Sequence, residues 1–363
     1  MMTLSAPDAA SMRALHATAV AEFLDTESRP PNVVGVAQGV KWTNGEPTGK
    51  PAVLVLVTHK VPADELAQSE LVPKSLKDTP TDVLAIGQPM AGPAGTLELT
   101  LPTSTTGASS HTTVISDGIT SQLLAKRVRP AEGGYSVGHF RITAGTIATC
   151  AYNILPGGST SPPSIGVGIP PRYFILSNNH VLANSNAAAI GDPILQPGPA
   201  DGGLAPADVI AKLSAFIPIT FNPPVPLANH NNLVDAAVAE VAFHDADREI
   251  HWIGNVRGWR RKAGVVVGTV VQKTGRTTNY TLGRITAINA TVDVGYGGGR
   301  TARFKDQILT TAMSAGGDSG SLVTTVDEVA VGLLFAGSAS VTVLNQIENV
   351  RNLLKVEVAE QIL

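Results

Sequence analysis

One stretch near the end of this 363-residue chain has the residue types of a nucleophilic site: Ala315-Gly316-Gly317-Asp318-Ser319-Gly320-Ser321-Leu322-Val323. A serine stands between glycines, with an acid before it and an apolar run after it. Gly317 and Gly320 permit a tight turn, so the N–H groups of Gly317 and Ser319 can converge on one point. A serine that forms a tetrahedral oxyanion needs that convergence. It also needs a base, and the base needs an orienting group. The apolar strand Tyr173-Phe174-Ile175-Leu176-Ser177 runs into Asn178-Asn179-His180, which puts an imidazole at a strand end facing a cleft. Asn232-Leu233-Val234-Asp235-Ala236-Ala237-Val238-Ala239 places a carboxylate at the opening of a small apolar strand, where it can be buried against that imidazole. Asp208 is the rival acid, earlier in the chain and in a poorer motif.

The order along the chain is His180, Asp235, Ser319. Of the three chain orders in which this constellation recurs, only the chymotrypsin-type double barrel has it. The stretches around the three residues resemble the three catalytic motifs of trypsin/chymotrypsin-like serine peptidases. Val271-Gln272-Lys273-Thr274-Gly275-Arg276-Thr277-Thr278 through Gly283 resembles the segment that opens the second barrel in bacterial members. Val331-Gly332-Leu333-Leu334-Phe335-Ala336-Gly337-Ser338 resembles the strand that lines the substrate channel. The whole run is most similar to bacterial trypsin-like proteins related to plant Narrow Leaf proteins, with specific motifs over 130–363 and a looser likeness over 30–90.

This resemblance implies a mainly β fold of two six-stranded antiparallel barrels, and a serine endopeptidase that works through an acyl-enzyme. Ser319 would attack, His180 would shuttle the proton and Asp235 would hold the imidazole, with Gly317 and Ser319 N–H groups as the oxyanion hole. The base of the primary pocket, six residues before the serine, would be Met313, with Ala336, Gly337 and Ser338 also shaping the pocket. No acid stands at Met313, so apolar or small side chains are expected in place of Arg or Lys. Asp318 is expected to pair with an internal cation. Two other readings stand beside the peptidase: a latent or inactive scaffold acting as a binding or assembly module, and an esterase using the same triad.

Composition narrows the class. Charged residues make up 15% of the chain while Gly numbers 36 and Pro 25, which suits a turn-rich β protein. A net charge of -3 argues against a strongly electrostatic nucleic-acid binder. Lys and Arg against Asp and Glu count 7 to 11 over residues 1–110 and 19 to 18 beyond, so any acidity lies in the front segment. Cys150 is the only cysteine, which excludes an intrachain disulfide, and its strand context reads as a buried structural thiol. Met1 to Asp25 lacks the basic start and continuous apolar core of a signal peptide, and no apolar run reaches membrane-spanning length. A soluble, cytoplasmic protein with no membrane partner is therefore expected. No His/Cys/carboxylate cluster has metal-ligand spacing, so neither metal nor cofactor is expected. His230, His244 and His251 are expected to be solvated. So is a basic loop of Arg257, Arg260, Arg261 and Lys262 around Trp259, with binding of an acidic partner as its alternative.

The elements that position these residues follow from periodicity. Met12, Leu15, Ala19 and Phe23 are spaced for a helix over 8–25, stopped by Arg29-Pro30-Pro31. Strands at 33–41 and 52–57 flank a Gly/Pro turn and suggest a hairpin, followed by a short helix near 64–66 and a strand at 81–86. Residues 1–112 thus form an α+β module and linker, regulatory or a means of homo-oligomerisation. The Thr/Ser/Gly/Pro-rich stretch 91–112 is the linker, and residues 113–363 form the peptidase domain. An Asn345 cap before an apolar i, i+3, i+6, i+7 pattern predicts a C-terminal helix packed on the second barrel.

Overall fold

The computed structural model describes residues 6–26, 28–43, 46–68, 70–91, 123–153 and 172–358. Nearly all of the expected linker, the boundary at 112/113 and the loop over 154–171 lie outside the described residues. The described chain is mainly β, with the helix Ala6–Phe23 first in the order of elements and the helix Ile347–Leu354 next to last.

Two rings of six strands carry the candidate site. In the second ring Val270–Gly275 pairs with Asn279–Gly295, which pairs with Thr301–Thr311 and then Val341–Gln346. Val341–Gln346 pairs with Val329–Gly337, that strand with Leu322–Thr325, and Leu322–Thr325 returns to Val270–Gly275, closing the ring. The first ring runs from Tyr173–Ser177 through Ala237–Val241, Val209–Phe216 and Pro193–Leu195 to Ser136–His139. The bent segment 145–153 closes it, pairing with Ser136–His139 at one end and Tyr173–Ser177 at the other. Closure removes the exposed sheet edges that open sheets must protect. The double six-stranded barrel expected from the motifs is the fold observed.

Each ring is filled by the alternate residues of its strands, since successive side chains point to opposite faces. Ile175, Ala237, Ala239, Leu213 and Ile194 fill the first. Ile285, Ile308, Val323, Val331 and Leu344 fill the second. Between the rings Leu176, Val234, Trp259 and Leu333 pack with Ile347, Val350 and Leu354 of the helix Ile347–Leu354. That helix starts later than expected. Asn345 is not its cap but the penultimate residue of a strand, because its side chain is taken by partners in the site. Trp259 is also not part of a solvated loop. It is buried, with the Arg351 guanidinium 3.9 Å from its ring centroid, while Lys262 and Arg257 pair with Asp306 and Glu328.

The front elements join the second ring. Val33–Thr43 pairs antiparallel with Asn279–Gly295 and with Glu46–Val57, and Thr79–Ala85 adds in parallel. The unbroken apolar run 52–57 is explained by burial on both faces. Ala52, Leu54 and Leu56 face one core; Val53, Val55 and Val57 face Leu15 and Ala19 of the helix Ala6–Phe23. Residues 64–66 form a turn in place of the expected helix. Buried charge secures the junction: Arg303 holds Asp293 at 2.6 Å and also pairs with Asp25, and Arg29 reaches Asp293 at 2.8 Å.

Candidate active site

His180 lies on the single helical turn Asn179–Leu182, directly after the strand Tyr173–Ser177. Its Nδ1 is 2.6 Å from Asp235 Oδ2, and its backbone N–H donates to Asp235 Oδ1 at 3.1 Å. Asp235 is completely buried and is held at both backbone ends. Its N–H donates to Asn345 Oδ1 at 3.0 Å, and its C=O accepts from Asn178 Nδ2 at 2.8 Å. A carboxylate fixed in this way holds Nδ1 as the protonated nitrogen and leaves Nε2 to accept. The Tyr296 hydroxyl donates to Asp235 Oδ2 at 2.7 Å, and its ring stands edge-on to the imidazole at 6.1 Å between centroids. Burial, reinforced by the Asp235 charge, pushes the Tyr296 hydroxyl well above its ordinary titration range, so it remains a donor.

Ser319 lies in a loop whose peptide orientations are set by hydroxyl and amide donors. Thr277 Oγ1 donates to the Gly316 carbonyl at 2.7 Å, and Thr146 Oγ1 donates to the Gly317 carbonyl at 2.8 Å. The Asp318 carbonyl accepts from Ser321 N at 3.0 Å and Ser321 Oγ at 2.8 Å. A trans peptide points its N–H opposite to its C=O. Fixing the Gly316 and Asp318 carbonyls therefore fixes the directions of the Gly317 and Ser319 N–H groups. Neither of those donates to another group among the described residues. Gly320 has φ of 100° and stands against Ser177 Oγ and the Thr146 carbonyl, where no side chain has room. Gly317, at φ 97°, is closed in the same way by Thr277 Oγ1.

Asp318 is buried under this loop. Its Oδ1 accepts from Thr277 N at 2.8 Å and Thr278 N at 3.1 Å. Its Oδ2 accepts from Thr278 Oγ1 at 2.6 Å, Ala315 N at 3.0 Å and Lys273 Nζ at 3.2 Å. Lys273, fully buried in the strand Val270–Gly275, is the internal cation that Asp318 was expected to have. Burial draws the Lys273 ammonium below its ordinary value, and the Asp318 charge opposes that shift.

His180, Ser319, Gly317 and Tyr296 line one cavity of about 420 Å³, walled also by Arg141 and Arg300. The structure thus brings His180 and Asp235 into contact and puts Ser319 in the same cavity. His180 Nε2 is buried and makes no hydrogen bond, so the link to Ser319 Oγ is open in this state. Such links are often long without substrate. None of Met313, Ala336, Gly337 and Ser338 lines this cavity. Met313 points into the second barrel core and Ala336 into the core beneath the front sheet. The Gly337 backbone exchanges two hydrogen bonds with Met90, at 2.9 and 3.1 Å. Ser338 Oγ donates to the Ile86 carbonyl.

The other candidates fall elsewhere. Asp208 pairs with Arg127 at 3.1 Å. His230 is not solvated: it is completely buried, bonded to the Val225 carbonyl and the Arg303 N–H. His244 is exposed, and His251 is partly covered and pairs with Glu132 at 2.9 Å. Cys150 is buried in its strand, and burial pushes its thiol up to about 11. Among the described residues no group of acids, histidines and cysteines is arranged to hold a metal ion, and no helix is long and apolar enough to cross a membrane.

Residues 8–85 match the NARROW LEAF 1 N-terminal domain. Glutamyl endopeptidase 2 of Streptomyces griseus is 42% identical over 71 residues, 18% of this chain and 33% of that protein. The chain therefore spans about a third of the length of this curated relative. Among solved structures, Thermobifida fusca protease A is 15% identical with a TM-score of 0.41, covering 62% of this chain and 96% of its own. A glutamic acid-specific serine protease described as using a histidine triad in substrate binding is 19% identical with a TM-score of 0.41, covering 62% and 98%. The chain resembles bacterial chymotrypsin-like serine proteases and carries, ahead of the barrels, a segment like that of NARROW LEAF 1.

Proposed function

We propose that the chain is a serine endopeptidase that cleaves protein or peptide substrates through Ser319, His180 and Asp235. The observation that carries this reading is the 2.6 Å contact of buried Asp235 with His180, which lines one cavity with Ser319 and Gly317. As Ser319 Oγ bonds to the substrate carbonyl carbon, its proton passes to His180 Nε2. The carbonyl electrons move to an oxyanion that accepts from the Gly317 and Ser319 N–H groups. The tetrahedral species collapses, the C–N bond breaks, and His180 returns the proton to the departing nitrogen. Water then attacks the acyl-enzyme with His180 again as base, releasing the acid product and restoring Ser319.

The reading needs no cofactor. A lone, buried cysteine supports a reducing, cytoplasmic setting, and the front segment is the proposed means of self-association. The second reading, a latent peptidase-fold binding module, has one observation in its favour: Met90 occupies the backbone of Gly337, on the strand expected to line the substrate channel. Labelling of the purified protein with a fluorophosphonate probe tests both. Label on wild type that disappears in Ser319→Ala and His180→Ala supports the peptidase; an unlabelled wild type promotes the binding module.

A further inference from the structure

The cavity around Ser319 and His180 has two arginines in its wall and no carboxylate. Arg172, Arg276, Arg303 and Arg351 each hold an acid. Arg141 and Arg300 form no salt bridge among the described residues, and each is stacked on a phenylalanine instead. The Arg141 guanidinium lies 4.8 Å from the Phe140 ring centroid and that of Arg300 lies 4.8 Å from Phe221.

Both are held from behind. The Arg141 N–H donates to His139 Nδ1 at 3.2 Å, and His139 Nε2 is 3.0 Å from Asp192 Oδ2. His139 is completely buried, so an imidazole bonded at both nitrogens pins the backbone beside the cleft. The same loop is tied down by the Ala200 N–H, which donates to the Thr143 carbonyl at 2.8 Å. Arg300 is closed into a turn with Tyr296: Tyr296 N donates to the Arg300 carbonyl at 2.9 Å, and Arg300 N to the Gly297 carbonyl at 3.1 Å. Phe221, under the Arg300 guanidinium, packs edge-on against Tyr296 at 5.1 Å. A guanidinium stacked on an aromatic face has already lost much of its freedom, and its forked donors match a carboxylate.

We propose that this cleft selects an acidic side chain, Glu or Asp, in the part of the substrate that follows the scissile bond, read by Arg141 and Arg300. The inference rests on the peptidase reading and names its substrate class. The assignment to the leaving-group side follows from the proton path. His180 Nε2 must deliver its proton to the departing nitrogen, so the residues after that nitrogen enter the cavity that His180 lines together with Arg141 and Arg300.

The test is peptide binding to full-length Ser319→Ala protein, which cannot turn the peptide over. The probe is a fluorescein-labelled Ala-Ala-Leu-Glu-Ala-Ala, cleaved between Leu and Glu in the proposed mode, beside the same peptide with Gln or phosphoserine for Glu. Fluorescence anisotropy should show the Glu peptide bound about tenfold tighter than the Gln peptide at low salt, as charge-assisted bidentate bonds imply. Adding Arg141→Gln and Arg300→Gln together should reduce that ratio to within about twofold, while Arg172→Gln, on an exposed ion pair, should leave it. A ratio within about twofold in the Arg141/Arg300-intact protein, or one that survives the double change, overturns the inference. So does a larger ratio when Glu is moved before Leu, or discrimination confined to phosphoserine. Fluorophosphonate labelling of wild type separates the two readings. Label without a Glu/Gln ratio sinks only the inference, whereas a ratio without label sinks the peptidase and keeps the acid-binding cleft.

Discussion

Separating Lys273 from Asp318 should disarm Ser319 without touching it, and the two halves of the pair should behave unequally. Both side chains are fully buried. Removing one partner of a buried pair costs about 3–5 kcal/mol, because the other is left uncompensated. In Lys273→Met, Asp318 keeps four donors: Thr277 N, Thr278 N, Thr278 Oγ1 and Ala315 N. Its cost should therefore fall at the low end, about 3 kcal/mol, which for unfolding of a chain of this length is a Tm decrease of about 4 °C. In Asp318→Asn the carboxamide presents its own N–H groups to N–H donors, and the Lys273 ammonium keeps only Thr278 Oγ1 and the Asn279 carbonyl. That variant should lose more stability. It should also lose the Ala315 tie that shapes the loop, and with it the set directions of the Gly317 and Ser319 N–H groups.

The assay is the rate of fluorophosphonate labelling beside differential scanning fluorimetry, with the double variant Lys273→Met/Asp318→Asn completing a cycle. Labelling about tenfold slower in Lys273→Met is expected, and about 10²–10³-fold slower in Asp318→Asn, the latter in line with the 2.7–4 kcal/mol that single oxyanion donors contribute elsewhere. Labelling should also fall at alkaline pH, below the ordinary lysine value of 10.5, because burial draws the Lys273 ammonium down. Between the folded and unfolded values the unfolded chain holds the extra proton, so this titration raises the unfolding free energy with pH. The alkaline loss should accordingly appear in labelling and not in Tm. Asp318→Asn that labels like wild type would refute the coupling of this pair to the serine loop.

Tyr296→Phe removes one hydrogen bond to the Asp235 carboxylate; about 1.5–3 kcal/mol of stability and about tenfold in labelling rate should go with it. Unchanged labelling would show that His180 and the two backbone anchors suffice. Asn345→Leu strands the buried Asp235 N–H and the Gln307 amide that it serves, and should cost about 1–3 kcal/mol by thermal denaturation, with slower labelling. His16, buried against Thr291 at 3.0 Å with its Nδ1 unpartnered, is lowered by burial to about 4. Its neutral form contributes stability that is complete above pH 6.5 and is lost as pH falls toward about 4, because only the unfolded chain takes up the proton there. At about 1.36 kcal/mol per pH unit the loss reaches about 3 kcal/mol, and acid unfolding of His16→Leu should lack it.

The contrast between what the motifs revealed and what they hid is a contrast of range. His180, Asp235 and Ser319 could be singled out because each sits in a local pattern: an apolar strand ending in polar residues, an acid opening a small-residue strand, a serine among glycines. The strands were visible in the same way, as in the hairpin at 33–57. Asn345 was misread by that very logic. An Asn ahead of an amphipathic run is a cap in isolation, yet here the strand continues through it because its amide is bonded to Asp235 and Gln307. Nothing beside Tyr296 in the chain says that its hydroxyl meets a carboxylate 61 positions away, and His16 finds Thr291 275 positions away. Lys273 gave a partial signal, a cation inside a strand segment, and Asp318 gave the complementary one. Joining them required the closure of the second ring, in which Val270–Gly275 meets Leu322–Thr325. Met313 marks the opposite failure. Its pocket role was inferred from spacing to the serine, whereas it lies past the end of the strand Thr301–Thr311, where the chain turns and its side chain packs with Ile308 and Leu344 in the second core. Spacing along the chain counts residues; the barrel decides which face they are on.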